Sequence, residues 1–311
     1  MRATWVVGHG LLGSAVARTV PPDDMLFRVP FRFRWGDSAA LNEQFNRAVA
    51  DFALMAKRAD DWAIHWTAGV GTMHSDADAL ATETAALESL LSQLKAHPVI
   101  RRYPGRFTFA SSAGAIYAGS RDLLISESSE DAPTTHYAIA KLQQEKILSE
   151  YCRHNPNVAV LMARYSTLYG PEQASGKAQG LLTHISRQVV RGLPVRIYVP
   201  LDTIRDYLEV DDAARGMLAA SESVSLGSAV TKIVASERPT TISKIIALFR
   251  KVSWRPPKII TSMTRSSSLY AKRIQFKSWL RPDLRAVYRT SLVVGISAVL
   301  DAERMRYAHD G

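Results

Sequence analysis

Three short segments, met in a fixed order, constrain this chain more than anything else in it. A glycine turn, Gly8-His9-Gly10-Leu11-Leu12-Gly13, follows the apolar run Thr4-Trp5-Val6-Val7. It opens Leu11–Val20, which reads as a helix with small residues on one face. A serine pair, Ser111-Ser112, ends the apolar run Phe107-Thr108-Phe109-Ala110. Tyr137-Ala138-Ile139-Ala140-Lys141 comes next, in a segment free of Pro and Gly up to Tyr151. Each segment alone is weak; their order is what carries weight.

Each has a physical reading. Gly8 permits a tight turn, Gly10 lets a pyrophosphate approach the backbone, and Gly13 lets helix and strand pack closely. The diphosphate of a dinucleotide then sits at the helix N-terminus, where free N–H groups and the helix dipole favour an anion. Tyr137 and Lys141 stand four residues apart and share a helix face. The Lys141 ammonium is expected to favour the Tyr137 phenolate and to lower its pKa, so that the phenol can exchange a proton with a substrate oxygen. Ser112 is expected to hydrogen-bond the same oxygen, with Ser111 as the second choice.

Strand signals at Thr4–Val7, Met25–Val29, Trp62–Trp66, Arg106–Ala110 and Val158–Ala163 alternate with helical stretches at Leu12–Val20, Ala40–Lys57, Asp76–Leu94 and His136–His154. Such alternation implies an α/β fold, a parallel sheet covered by helices on both faces. After Pro171 the pattern changes to a helix over Gly180–Arg191 and a short strand over Val195–Val199. The chain is expected to rejoin the sheet around Tyr207–Val210 and Ala229–Val234. Residues 1–170 with about 203–236 form the dinucleotide part in this reading, and 171–202 with 237–311 a smaller lobe. Ser266-Ser267-Ser268 reads as a loop.

Five ordered segments carry a family resemblance: the glycine turn; Asp61-Trp62-Ala63-Ile64-His65-Trp66-Thr67-Ala68-Gly69; Ser111-Ser112-Ala113-Gly114-Ala115-Ile116-Tyr117; Arg164-Tyr165-Ser166-Thr167-Leu168-Tyr169-Gly170-Pro171; and Arg205-Asp206-Tyr207-Leu208-Glu209-Val210-Asp211-Asp212. With Tyr137 and Lys141 they make the chain similar to the extended short-chain dehydrogenase/reductase family of nucleotide-sugar epimerases, dehydratases and ketoreductases. The resemblance covers nearly the whole chain. It implies a Rossmann-type doubly wound parallel sheet with a C-terminal α+β substrate-binding lobe. It implies catalysis by Ser112, Tyr137 and Lys141, and a cofactor held by Gly8, Gly10, Leu11, Leu12, Gly13, Thr67, Ala68, Gly69, Tyr137, Lys141 and Arg164. Ser111, Ser112, Thr167 and Arg205 are its substrate contacts, Arg205 on the diphosphate of a nucleotide sugar. Two departures bear on the reaction. Ala113 and Gly114 stand where the dehydratases carry an Asp-Glu pair, which argues against loss of water. Thr167 replaces the asparagine many members place before the Tyr-Gly-Pro turn.

The activity so implied is hydride transfer at a hydroxyl or keto carbon of a nucleotide-activated sugar, as 4-ketoreductase or epimerase. The alternatives are a non-catalytic NAD(P)-binding regulatory or scaffold protein, and an epimerase of a lipid-diphosphate-linked sugar. NAD-preferring dinucleotide folds place an acid at the end of the second strand, whereas arginine accommodates a 2′-phosphate. Here Pro30-Phe31-Arg32-Phe33-Arg34-Trp35 has no acid before Asp37, so Arg32 and Arg34 tilt the reading from NAD toward NADP.

Composition adds bounds. The 311 residues are 47% hydrophobic, enough for a sizeable core. The one cysteine, Cys152, excludes an internal disulfide and fits a reducing, cytoplasmic setting. No apolar run is long enough for a membrane span, and Met1–Gly13 reads as a strand entering a turn rather than a signal peptide. The eight histidines show no metal spacing. The formal charge of +10 is concentrated: residues 244–289 hold twelve Lys and Arg against one acid, Asp283. A solvated basic face, attraction of a diphosphate substrate, and contact with an anionic membrane surface are three readings of that stretch. Nucleic acid is not among the expected partners. Its aromatics Trp254, Tyr270, Phe276, Trp279 and Tyr288 are expected to form lobe core, and a homodimer is allowed.

Overall fold

A computed structural model describes residues 1–69, 71–173, 180–262 and 272–310. Apolar runs become strands and amphipathic stretches become helices that alternate through the first half, with two short extra helices of five and four residues. The order is β1 (Arg2–Val7), α1 (Leu11–Thr19), β2 (Met25–Phe27), α2 (Ser38–Ala56), β3 (Asp61–Trp66), α3 (Ala77–Ala96), α4 (Pro98–Arg102), β4 (Gly105–Ser112), α5 (Ala113–Ile116), α6 (His136–Arg153) and β5 (Val158–Tyr165). The chain continues through β6 (Thr167–Tyr169), α7 (Leu181–Val190), β7 (Val195–Ile197), β8 (Ile204–Arg205), β9 (Tyr207–Glu209), α8 (Val210–Glu222) and β10 (Ala229–Val234). It ends with β11 (Thr240–Thr241), α9 (Ile242–Val252), β12 (Ile259–Thr261) and α10 (Leu292–Asp310).

Six strands form one sheet in the order β10-β5-β4-β3-β1-β2, every pairing parallel. Both faces are covered, as a parallel sheet requires. On one side Phe45, Phe52, Leu87, Leu94 and Leu148, from α2, α3 and α6, pack on Trp5, Ile64 and Phe107. On the other, Leu12 and Val16 of α1 and Ala213 and Met217 of α8 pack on Val6, Leu161 and Ala163. Strand order reverses at β1, which lies between β2 and β3. In such sheets ligands gather at the carboxyl ends of the strands beside that reversal.

The second half departs from expectation in one respect. Only β10 rejoins the main sheet; β9 pairs with β6 in a separate two-stranded sheet. The β6–β9 pair braces the segment that follows β5. The lobe has its own core, with Ile185 and Val189 of α7, Ile245 and Phe249 of α9, and Ile296 and Leu300 of α10 packed around Val195 and Ile197.

The expected aromatic core of the basic stretch divides. Phe276 is buried and Tyr288 packs against the α1–α8 core, but Trp279 is 63% exposed and Trp254 96% exposed. Tyr270 and the Ser266–Ser268 loop lie outside the described residues. Cys152 is buried on α6, its thiol donating to the Val158 carbonyl at 3.4 Å, and burial pushes its pKa up.

Candidate active site

Backbone geometry builds the first wall of the site. Gly8 has φ +94°, a conformation that favours glycine, and a Cβ there would lie 2.5 Å from the Ala68 backbone. A Cβ on Gly13 would lie 1.8 Å from the Gly8 carbonyl oxygen, so α1 can approach β1 only with glycine at that position. Thr67, just after β3, locks the turn by donating to the carbonyls of Val7 at 3.1 Å and Gly8 at 2.7 Å. Gly10 caps α1 without a side-chain hydrogen bond, and nothing lies within 4 Å of where its Cβ would be. The first-turn amides of α1 therefore face an open cradle of the kind a pyrophosphate fills.

That cradle is one wall of a cleft of about 950 Å³ at the carboxyl ends of the strands. Gly10, Leu11, Leu12, Thr67, Ala68 and Gly69 line it, together with Ser112, Tyr137, Lys141, Thr167 and Arg205. Sheet topology thus brings together residues up to two hundred positions apart.

The three catalytic candidates meet. Ser112 ends β4 and caps α5, accepting from the Ala115 amide at 3.3 Å. Tyr137 stands in the first turn of α6, which Thr135 caps at the Ala138 amide, and Ser112 is close enough to its hydroxyl to favour the phenolate. One turn on, the buried Lys141 places its Nζ 5.7 Å from the Tyr137 ring centroid and 4.8 Å from that of Phe109. The neighbouring Ser111 donates to Glu145 at 2.6 Å.

The electrostatics differ from the expectation. Tyr137 is not lowered; burial pushes it up to about 12, and the Glu83 carboxylate adds to the rise against the Ser112 hydrogen bond. Lys141 is pulled below its usual value by burial, with Glu83 and then Glu145 opposing. Desolvation disfavours both charged forms and is the largest cause of each shift. The phenol keeps its proton in the resting site.

One further expectation changes. Arg164 does not reach the cleft. It lies on β5 opposite Ser111, and its guanidinium donates to Glu145 at 3.0 and 2.6 Å, to the Tyr117 hydroxyl at 2.6 Å and to Asp131. It braces β4, β5 and α6 from behind. Arg32 and Arg34 lie on an exposed arm outside the cleft wall. Phe31 and Phe33 turn inward between them, and Gln44 pins the arm through the Arg32 carbonyl and Arg34 amide at 3.0 and 2.8 Å.

The family model for the NAD dependent epimerase/dehydratase family matches residues 6–234. The chain belongs to that family. It is 25% identical over 170 residues to an uncharacterized UDP-glucose epimerase of Bacillus subtilis, covering 55% of this chain and 50% of that protein. It is 26% identical over 148 residues to a UDP-glucuronate 4-epimerase of Thermodesulfobacterium geofontis, covering 48% and 44%. The chain thus spans about half the length of the curated relatives it matches. The fold extends further. A UDP-glucose 4-epimerase from Thermotoga maritima, solved with UDP-glucose, superposes with TM-score 0.77 at 19% identity over 99% of this chain and 100% of that one. RMD from Pseudomonas aeruginosa, complexed with NADPH, gives 0.77 at 21% identity over 98% and 99%.

Within this epimerase/dehydratase chain the structure also adds residues that the sequence reading passed over. Glu83 of α3 lines the cleft and accepts from the Gly71 amide. A Cβ on Gly71 would lie 3.2 Å from both Glu83 Oε1 and the Tyr137 ring, so loop, carboxylate and phenol are packed together. The signal was present: Glu83 interrupts the apolar face Leu80, Leu87, Leu90, Leu94 of α3. His184, Arg196 and Tyr198 line the lobe side of the cleft. In the Arg205–Asp212 segment both buried aspartates are anchors. Asp206 accepts from the Ser236 amide and hydroxyl at 2.8 Å each, and Asp212 from the Arg289 and Thr290 amides at 2.8 Å each.

Proposed function

We propose that this protein is an NAD(P)-dependent epimerase of a nucleotide-activated sugar. The observation that carries the reading is the Ser112–Tyr137–Lys141 cluster in one cleft with the glycine cradle of α1. The two curated relatives named above are UDP-sugar epimerases by description, and together with the family match they support this reading.

The cradle fits a dinucleotide: the first-turn amides of α1 would hold the pyrophosphate, with Thr67, Ala68 and Gly69 beside it. A nicotinamide held there would supply reversible hydride transfer at the sugar carbon. The protein's part is proton management and orientation. Tyr137 Oη exchanges the proton of the sugar hydroxyl, Ser112 Oγ holds that oxygen, and the Lys141 ammonium stabilises the phenolate while it exists. The absence of acids at Ala113 and Gly114 supports hydride return over expulsion of water. Arg205 is proposed on the substrate diphosphate, with Thr167 nearer the sugar. The proposed division runs between residues 1–170 with 203–236 for the cofactor, and 171–202 with 237–311 for the substrate.

For the cofactor, NADP(H) is the preferred proposal. Asp37, the first acid after β2, caps α2 by accepting from the Ala40 amide at 3.0 Å, which leaves Arg32 and Arg34 as the charged groups of that arm. NADPH is expected to bind more tightly than NADH, and Arg32→Ala or Arg34→Ala to weaken NADPH selectively. Unchanged titrations in both variants reverse the assignment to NAD.

The deciding experiment incubates the purified protein with UDP-glucose and with UDP-glucuronic acid and follows the C4 epimers by NMR. Epimer formation without net cofactor consumption is expected. Stoichiometric oxidation of NADPH by a ketosugar, with no epimer, identifies a reductase instead. No turnover of any nucleotide sugar, with dinucleotide bound, leaves the regulatory reading.

A further inference from the structure

The outer end of the lobe is built from residues 180–201 and 238–262, and neither stretch contains an aspartate or glutamate. They meet where β7 pairs with β12. Ile260 is in register with Arg196; both are exposed, and Arg196 stands at the rim of the cleft. The turn before β7 exposes Leu193 at 49%, and Ile260 is 45% exposed. Trp254, in the loop between α9 and β12, is 96% exposed. Its neighbour Arg255 lies over that same turn, since a Cβ on Gly192 would be 3.4 Å from its Nη1. Arg191, Arg250, Lys251 and Lys258 are exposed on these same segments.

This combination does not suit a plain solvated face. Charged side chains alone explain solubility; they do not explain an indole held clear of the core beside exposed aliphatic groups. It does suit the boundary of a bilayer, where tryptophan rests at headgroup depth and cations meet lipid phosphates. Two weak signals, apolar insertion and basic charge, are what reversible surface binding requires. Among the described residues no helix is long and apolar enough to cross a membrane, so such contact is peripheral.

We propose that the β7–β12 end of the lobe docks on an anionic lipid surface, with Trp254, Leu193 and Ile260 entering the interface and the surrounding Arg and Lys held at the headgroups. A single-stranded nucleic acid would stack on Trp254 but offers nothing to Leu193 and Ile260, so the lipid surface accounts for more of the patch.

The test is co-sedimentation with vesicles of phosphatidylcholine alone and of phosphatidylcholine with phosphatidylserine, at low and physiological salt. Binding to the anionic vesicles only, weakened by salt, is expected. Each cation removed should lower partitioning by about fivefold. The double variant Arg255→Glu, Lys258→Glu should therefore abolish it under physiological salt. Trp254→Phe should remove the component of tryptophan fluorescence that brominated lipids quench. Indifference to lipid charge, absence of binding at low salt, or full binding by these variants overturns the proposal, and so does RNA binding with the same Trp254 dependence in the absence of vesicle binding. None of these residues lines the cleft, so turnover of a soluble nucleotide sugar should persist in every variant. Loss of that turnover in the parent protein would count against the epimerase reading and leave the vesicle result standing.

Discussion

The protonation of Tyr137 sets the terms on which the site can work. A phenol pushed up to about 12 is an acid at rest, and it must give up its proton before it can take one from a sugar. Tyr137→Phe should lower turnover by about 10²–10⁴, the usual contribution of a positioned acid/base, with dinucleotide affinity nearly unchanged. Lys141→Ala should lower both. Glu83 opposes the phenolate, so Glu83→Gln should move the acid limb of the kcat profile to lower pH, whereas Glu83→Asp should leave it closer to the parent. A profile that does not move removes Glu83 from control of the proton. A second buried group governs stability. His65, bonded to Thr108 at 2.6 Å, falls to about 3 through burial, from an ordinary 6.5. The unfolded chain therefore binds the extra proton first. Stability from this group is intact above about pH 6.5 and is lost as pH falls toward 3, at up to about 1.4 kcal/mol per pH unit. Acid titration of unfolding should show a shallower slope in His65→Gln.

Among the elements, α1 and its turn divide two roles that one motif combines. Gly13 is required by packing and Gly10 by access. Gly13→Ala forces the turn apart, so its unfolding midpoint should fall, by an amount equivalent to about 1–3 kcal/mol, along with dinucleotide affinity. Gly10→Ala meets nothing in the fold, so affinity should fall at an unchanged midpoint. Calorimetry with a dinucleotide titration separates the two. This turn, β4 with its serines and α6 with Tyr137 and Lys141 were all legible in the sequence, because each depends on local spacing. Glu83 and Arg164 were harder to read. The first needed to be seen as a carboxylate on an otherwise apolar helix face, and the second depends on which side of β5 its neighbours Glu145 and Asp131 occupy. The short strands β9 and β12 were misplaced or missed for the same reason: their partners are distant in sequence, and three residues carry too little pattern to announce them.

At the scale of the whole molecule the charge asymmetry has two separable effects. A direct contact from Arg205 to a substrate diphosphate should resist salt, whereas attraction from the surrounding basic lobe should fade above roughly 0.15 M, where screening acts within about 8 Å. Arg205→Ala should therefore raise KM far more than Lys251→Ala, and the gap should persist at high salt. Equal effects would place the diphosphate elsewhere. The lone thiol of Cys152, buried on α6 with its pKa raised, gives the chain a different use. Maleimides should leave the folded protein unmodified and add one mass only after denaturation. A cysteine introduced at position 254 would then be the single labelling point without any prior removal, so a spin or fluorescent probe placed there reports the depth and orientation of the lobe against any surface it meets.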